Sequence, residues 1–116
     1  MKIGLILRRP PYGDINAAEA IRHALGAVSD DLGASLFLID GGALLALKDQ
    51  DEAQTECTNL GAALKDCIDM GVEVFADGGF LKGRDIGEAD LVEGVRLADL
   101  EAISAMVRAS GKVMIF

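Results

Sequence analysis

Short aliphatic runs alternate with longer stretches of helical periodicity from one end of this chain to the other, and that alternation leaves few architectures open. Strand, helix and strand in succession form the unit of an α/β domain, whose mainly parallel strands are buried on both faces. Ile3 to Leu7 is nearly all aliphatic and reads as the first such strand. Ala17, Ala20, Ile21, Ala24, Leu25 and Val28 then recur at helical spacing, with Asp14 or Asn16 available as the helix cap. Ala34 to Ile39 reads as the second strand, followed by Asp40-Gly41-Gly42 and a short apolar segment, Ala43 to Leu47. The acidic stretch from Lys48 to Glu56 reads as a solvated loop.

A second helix, started at Thr55 or Thr58, runs through Leu60, Ala63, Leu64, Cys67 and Ile68 to Met70, where Gly71 closes it. Val72 to Ala76 is a third strand, followed by Asp77-Gly78-Gly79. Phe80 to Ile86 is expected as a short helix or turn, and Gly94 to Leu97 as a short strand. Asp99 can cap a helix from Leu100 to Ala109, and Lys112 to Phe116 forms a final strand docked in the sheet. The expectation is one domain over residues 1–116: a five-stranded, mainly parallel sheet with helices on both faces, flavodoxin-like or related.

Composition narrows the functional classes. Apolar residues make up 51% of the 116, and the mean hydropathy is +0.31, so there is ample material for a core. A net charge of −8 repels a phosphate backbone, which argues against nucleic acid as a partner. The apolar runs fall far short of the roughly 18 to 20 residues that span a bilayer. Arg8 and Arg9 end the first run where a signal-peptide cleavage site would belong, so a cytoplasmic protein with no membrane segment is expected. A small chain this rich in Ala, Leu and Gly has more apolar surface than one core hides, and self-association would bury the excess.

Ligands of open α/β sheets bind beyond the carboxyl ends of the strands, which selects three loops. The first, Arg8-Arg9-Pro10-Pro11-Tyr12-Gly13-Asp14, leads into a helix amino terminus, where free N–H groups and two arginines could hold an oxyanion. It lacks the glycine spacing of a dinucleotide or P-loop fingerprint, and its plain reading is a rigid Pro-Pro turn with solvated arginines. The other two are Asp40-Gly41-Gly42 and Asp77-Gly78-Gly79, whose carboxylates could face each other across the rim and hold Mg²⁺ or do acid/base work. More plainly, Asp-Gly is turn chemistry, with the side chain bonding nearby backbone. No resident metal or cofactor is expected.

The two cysteines, Cys57 and Cys67, lie ten residues apart in one helical pattern, about 15 Å along the axis, and cannot pair there. Neither reads as a nucleophile. Cys67 sits at the negative end of its helix and Cys57 in an acidic neighbourhood, and both settings disfavour thiolate. His23, the single histidine, falls outside the apolar set of its helix and reads as a solvated imidazole.

The colinear order of these motifs resembles the DsrE/DsrF-like (TusC/TusD) sulfur-relay family over nearly the whole chain. The residues that carry the resemblance are Arg9-Pro10-Pro11-Tyr12-Gly13, the strand ending in Asp40-Gly41-Gly42, and Met70-Gly71-Val72. With them go Ala76-Asp77-Gly78-Gly79-Phe80-Leu81-Lys82 and the terminal Val113-Met114-Ile115-Phe116 strand. The first loop and the Asp40 region are most similar to the DsrF/TusC branch. The resemblance implies a compact α/β fold and homo-oligomers, or hetero-oligomers with DsrE-like paralogues. It also implies a small sulfur-carrier protein as partner and, in active members, a cysteine that carries persulfide sulfur. That cysteine follows the third strand in a pattern like Ala-Cys-Gly-x-x-Leu-Lys, and here Asp77 takes its place. Cys67 could substitute only by ending its helix early and swinging its sulfur to the rim. The resemblance therefore implies a non-catalytic or divergent subunit, with the strand-end residues Arg8, Arg9, Tyr12, Gly13, Asp40, Gly41, Asp77, Gly78, Gly79 and Lys82 left to bind a partner or ligand.

Overall fold

The structure, a computed structural model, describes residues 2–12, 15–48 and 60–116. Five parallel strands form one sheet in the order β4-β3-β2-β1-β5: β1 Lys2–Leu7, β2 Gly33–Leu38, β3 Glu73–Asp77, β4 Arg96–Ala98 and β5 Lys112–Ile115. The first four strands step across the sheet in one direction, and the chain then returns past β3 and β2 to add β5 beside β1. Right-handed crossovers put helices of opposite travel on opposite faces. Helix α1 (Asn16–Ser29) and helix α2 (Leu60–Asp69) therefore cover one face, and α4 (Leu100–Ala109) covers the other. A one-turn helix, α3 (Gly78–Lys82), and a 3-10 helix at Asp40–Ala46 stand at the carboxyl rim.

The two faces differ in depth. Leu5, Leu36 and Val74 are register partners, as are Leu7, Leu38 and Ala76, and all six point into the α1/α2 side. There they meet Ala17, Ala20, Ile21, Ala24, Leu64 and Cys67 in a continuous core. Alanine-rich α1 lets its backbone lie close to the strands, so few aromatic residues are needed. The α4 side is thinner: Phe37 is buried and stacks on Phe75 at 5.8 Å, while Ile103 is the one buried residue of α4. A Cβ on Gly4 would stand 2.8 Å from Ser110 Oγ, so the end of α4 rests directly on β1.

Several local expectations change. The cap of α1 is Ile15 with no side-chain bond; Asn16 is already the first helical residue, and Asp14 lies outside the described residues. Asp99 does cap α4, its Oδ1 accepting from Ala102 N at 2.7 Å. Gly71 closes α2 at φ +102°, a conformation that costs a side chain-bearing residue and not glycine. Thr55, Thr58 and the acidic stretch after Lys48 lie outside the described residues. Among the described residues no helix is long and apolar enough to cross a membrane.

Candidate functional site

The three loops singled out from sequence do converge at the carboxyl rim, through backbone and glycine contacts. Gly42 N donates to the carbonyls of Ile39 (2.9 Å) and Arg8 (3.1 Å), tying the loop after β2 to the loop after β1. A Cβ on Gly42 would lie 2.1 Å from the Leu7 carbonyl oxygen, and one on Gly41 would lie 2.9 Å from the Pro10 ring. Both positions need glycine because the chains touch there. Gly41 is thus spacing material between loops, and Gly42, which the sequence reading passed over, is the tighter of the two. The loop after β3 follows beside them, since β2 and β3 are paired as far as Leu38 and Ala76.

The two Asp-Gly-Gly segments place their carboxylates differently. Asp40 is exposed, with φ +48°. Asp77 is 5% exposed and turns back into its own loop, where Oδ1 accepts from Gly79 N (3.0 Å) and Phe80 N (3.4 Å) as the cap of α3. A carboxylate so used helps to neutralise the free N–H groups of the first turn. No group of three or more His, Cys, Asp or Glu among the described residues is arranged to hold a metal ion. Gly78 is half-buried, and Gly79 and Lys82 are exposed on α3. Beyond Lys82, the Arg84 guanidinium lies 4.5 Å over the Phe80 ring.

Arg8 and Arg9 are exposed at the mouth of the first loop, while Pro11 is buried. Tyr12 turns inward: it packs on the core, and its Oη accepts from Leu60 N at 3.2 Å, the first residue of α2. Its hydroxyl serves a helix start. Gly13 lies outside the described residues. His23 is not a solvated imidazole, for it is half-buried, with Nδ1 2.7 Å from the Glu19 carbonyl and its ring 5.3 Å from that of Phe116. Helical spacing put it off the apolar stripe, but β5 brings Phe116 to meet it.

Cys67 cannot supply a rim thiolate. It is fully buried between α2 and α1, its Sγ 3.9 Å from the Ile21 carbonyl, and burial, with Asp66 adding to it, pushes its thiol up to about 11. The helix does not end early enough to release it, because α2 continues to Asp69. Cys57 lies outside the described residues.

A parallel sheet with helices on both faces, and three strand-end loops gathered at one rim, is an α/β domain of the kind whose ligands bind beyond the carboxyl ends of the strands. The chain belongs to the DsrE/DsrF-like family, whose model matches residues 1–116. It is 34% identical to the uncharacterized protein MJ0989 of Methanocaldococcus jannaschii over 116 residues, all of both chains. It is 35% identical to the uncharacterized protein MK0008 of Methanopyrus kandleri, over 98% of this chain and 93% of that one. Among solved structures, the ychN protein of E. coli superposes with a TM-score of 0.90 at 24% identity, over 100% of this chain and 99% of that one. That likeness concerns the fold.

Proposed function

We propose that this protein is a non-catalytic or divergent subunit of a cytoplasmic sulfur-relay oligomer, nearest in kind to the DsrF/TusC branch. Membership of the DsrE/DsrF-like family supports a role related to sulfur relay. The observation that carries the finer reading is Asp77. It ends β3 and opens α3, the position where the family resemblance calls for the persulfide cysteine, and its carboxylate is committed to capping. A carboxylate has no sulfur on which to hold a sulfane atom. Cys67 is buried and protonated at neutral pH. In this reading the chain contributes surface instead of a nucleophile. Its partners are copies of itself or a cysteine-bearing DsrE-like paralogue, together with a small sulfur-carrier protein that meets the exposed Arg8, Arg9 and Lys82 of the rim.

Two measurements test it. Sedimentation should show an assembly larger than one chain; a monomer at micromolar concentration defeats the oligomer reading. Intact-mass spectrometry after treatment with a low-molecular-weight persulfide, which passes its outer sulfur to an acceptor thiolate and departs as a thiol, should show no gain of about 32 Da on the native chain. The Asp77→Cys variant should gain it. A native chain that takes up the sulfur on Cys57 or Cys67 would sink the non-catalytic assignment.

A further inference from the structure

The face of the sheet beneath α4 is only partly covered, and what remains bare is apolar. Alternation along the strands puts Ile6, Ile115 and Val113 on this side, opposite to Leu5 and Met114, and Ile6 and Ile115 are register partners. Helix α4 packs toward β3, its end set down with Ser110 above Gly4, and no residue of β5 lines the groove beneath it. Ile115 is consequently 63% exposed, Val113 38%, and Leu100 on the near flank of α4 53%. Between that flank and the sheet runs a groove of about 230 Å³, floored by Ile6 and Ile39 and walled by Leu100, Ser104, Val107 and Arg108. These exposed apolar residues adjoin one another, unlike the isolated ones that any surface carries.

The charges on α4 say what covers the groove. Glu101 and Arg108 lie seven residues apart, two helical turns or about 10.5 Å along the axis, and fall on the same flank as Ser104 and Leu100. Arg108 Nη1 donates to Ser104 Oγ at 2.9 Å, which lays the side chain along that flank. Neither Glu101 nor Arg108 has an ion-pair partner among the described residues of its own chain. Set two such helices antiparallel about a two-fold axis between Ser104 and Ala105. Each Glu101 then comes to the level of the other chain's Arg108, each Leu100 to that of the other chain's Ala109, and the small Ser104 and Ala105 at the axis let the backbones approach. A surface that is complementary to itself in charge and shape is what an isologous dimer requires.

We propose that a second copy of this chain docks here, its α4 lying antiparallel beside the first and covering the bare side of β5, so that the two helices form a shared layer between two sheets. This rests on the oligomeric reading above and names the surface that performs it. Each contact across the axis occurs twice. A single charge reversal, Glu101→Arg or Arg108→Glu, therefore creates two like-charge pairs and should weaken self-association by about tenfold or more. The double variant exchanges the signs and should return to within about threefold of the native value. In a Cys57→Ser background, Ser104→Cys places two thiols on either side of the axis, and mild oxidation should yield a covalent dimer. Glu88→Cys, exposed on the far side of the crossover before β4, should not.

If sedimentation shows an assembly but neither the reversals nor Ser104→Cys affects it, another surface joins the subunits: this inference falls and the relay-subunit reading stands. A native chain that sediments as a monomer overturns both. Recovery in the double variant together with a Ser104→Cys dimer supports this face and no other.

Discussion

After β2, the segment Asp40-Gly41-Gly42 turns through a left-handed aspartate at φ +48° into a 3-10 helix, and its last glycine is pressed against the Leu7 carbonyl. After β3, the same tripeptide keeps its aspartate extended, at φ −64° and ψ 103°, and goes straight into α3 with the carboxylate folded over the first turn. No local rule separates the two, because the three residues are identical. The surroundings do. β2 is the middle strand of the sheet, and the chain leaving it must pass hard against the end of β1. β3 is bordered on its outer side by a strand of three residues, which leaves room: a Cβ on Gly78 would meet nothing closer than 3.7 Å.

The contrast can be broken residue by residue, read as thermal or denaturant unfolding. Gly42→Ala should have the largest effect, a loss of about 3 kcal/mol or more, since its Cβ would lie inside the contact radius of a backbone carbonyl that cannot move without β1. The matching Gly79→Ala, whose nearest neighbour is Asp77 Oδ1 at 3.4 Å, should stay within about 0.5 kcal/mol of native. Equal losses at the two sites would show that the loops are not packed as described.

Next in size is the cap. Asp77→Ala should cost about 1 to 2 kcal/mol, and Asp77→Asn, which keeps an acceptor for Gly79 N and Phe80 N, should recover most of it. If asparagine does no better than alanine, the carboxylate acts through its charge and not as a cap. Gly41→Ala should lose about 1 kcal/mol against the Pro10 ring, which can shift where a strand cannot. The smallest effect has the opposite sign. Asp40→Gly relieves the left-handed backbone and should raise stability by up to about 0.5 kcal/mol, part of the gain being lost to the looser unfolded chain.

Much of this molecule was legible without coordinates. The alternation of aliphatic runs and helical periods predicted all five strands, and Asp99 with Leu100 to Ala109 came out residue for residue, because a capping aspartate followed by a clean period is a local signal. Asn16, one of the two caps expected for α1, is instead its first helical residue, and the other, Asp14, lies outside the described residues. His23 looked solvated because its partner Phe116 is far along the chain, and for the same reason the sequence left open whether Tyr12 packs or presents its hydroxyl, which meets Leu60 N. That the loops bearing Arg8, Arg9, Asp40 and Asp77 follow the carboxyl ends of the strands was legible from the strand pattern, while the capping role of Asp77 and the contact role of Gly41 were not. The bare side of β5 was visible only as a general excess of apolar residues, since which strand lies at an edge is not written in any single run.

What the sequence determined by itself was therefore the inventory: which segments are strands and helices, where α4 begins, and that a carboxylate follows the third strand. Those are decided by propensity, spacing and capping over a few residues, so a linear reading reaches them. Only the tertiary structure decided that β1 lies between β2 and β5, that one Asp-Gly-Gly is clamped and the other is a cap, and that α4 leaves part of the sheet uncovered. Each of these depends on which backbone comes within a few ångströms of which other, a relation between residues far apart in the chain.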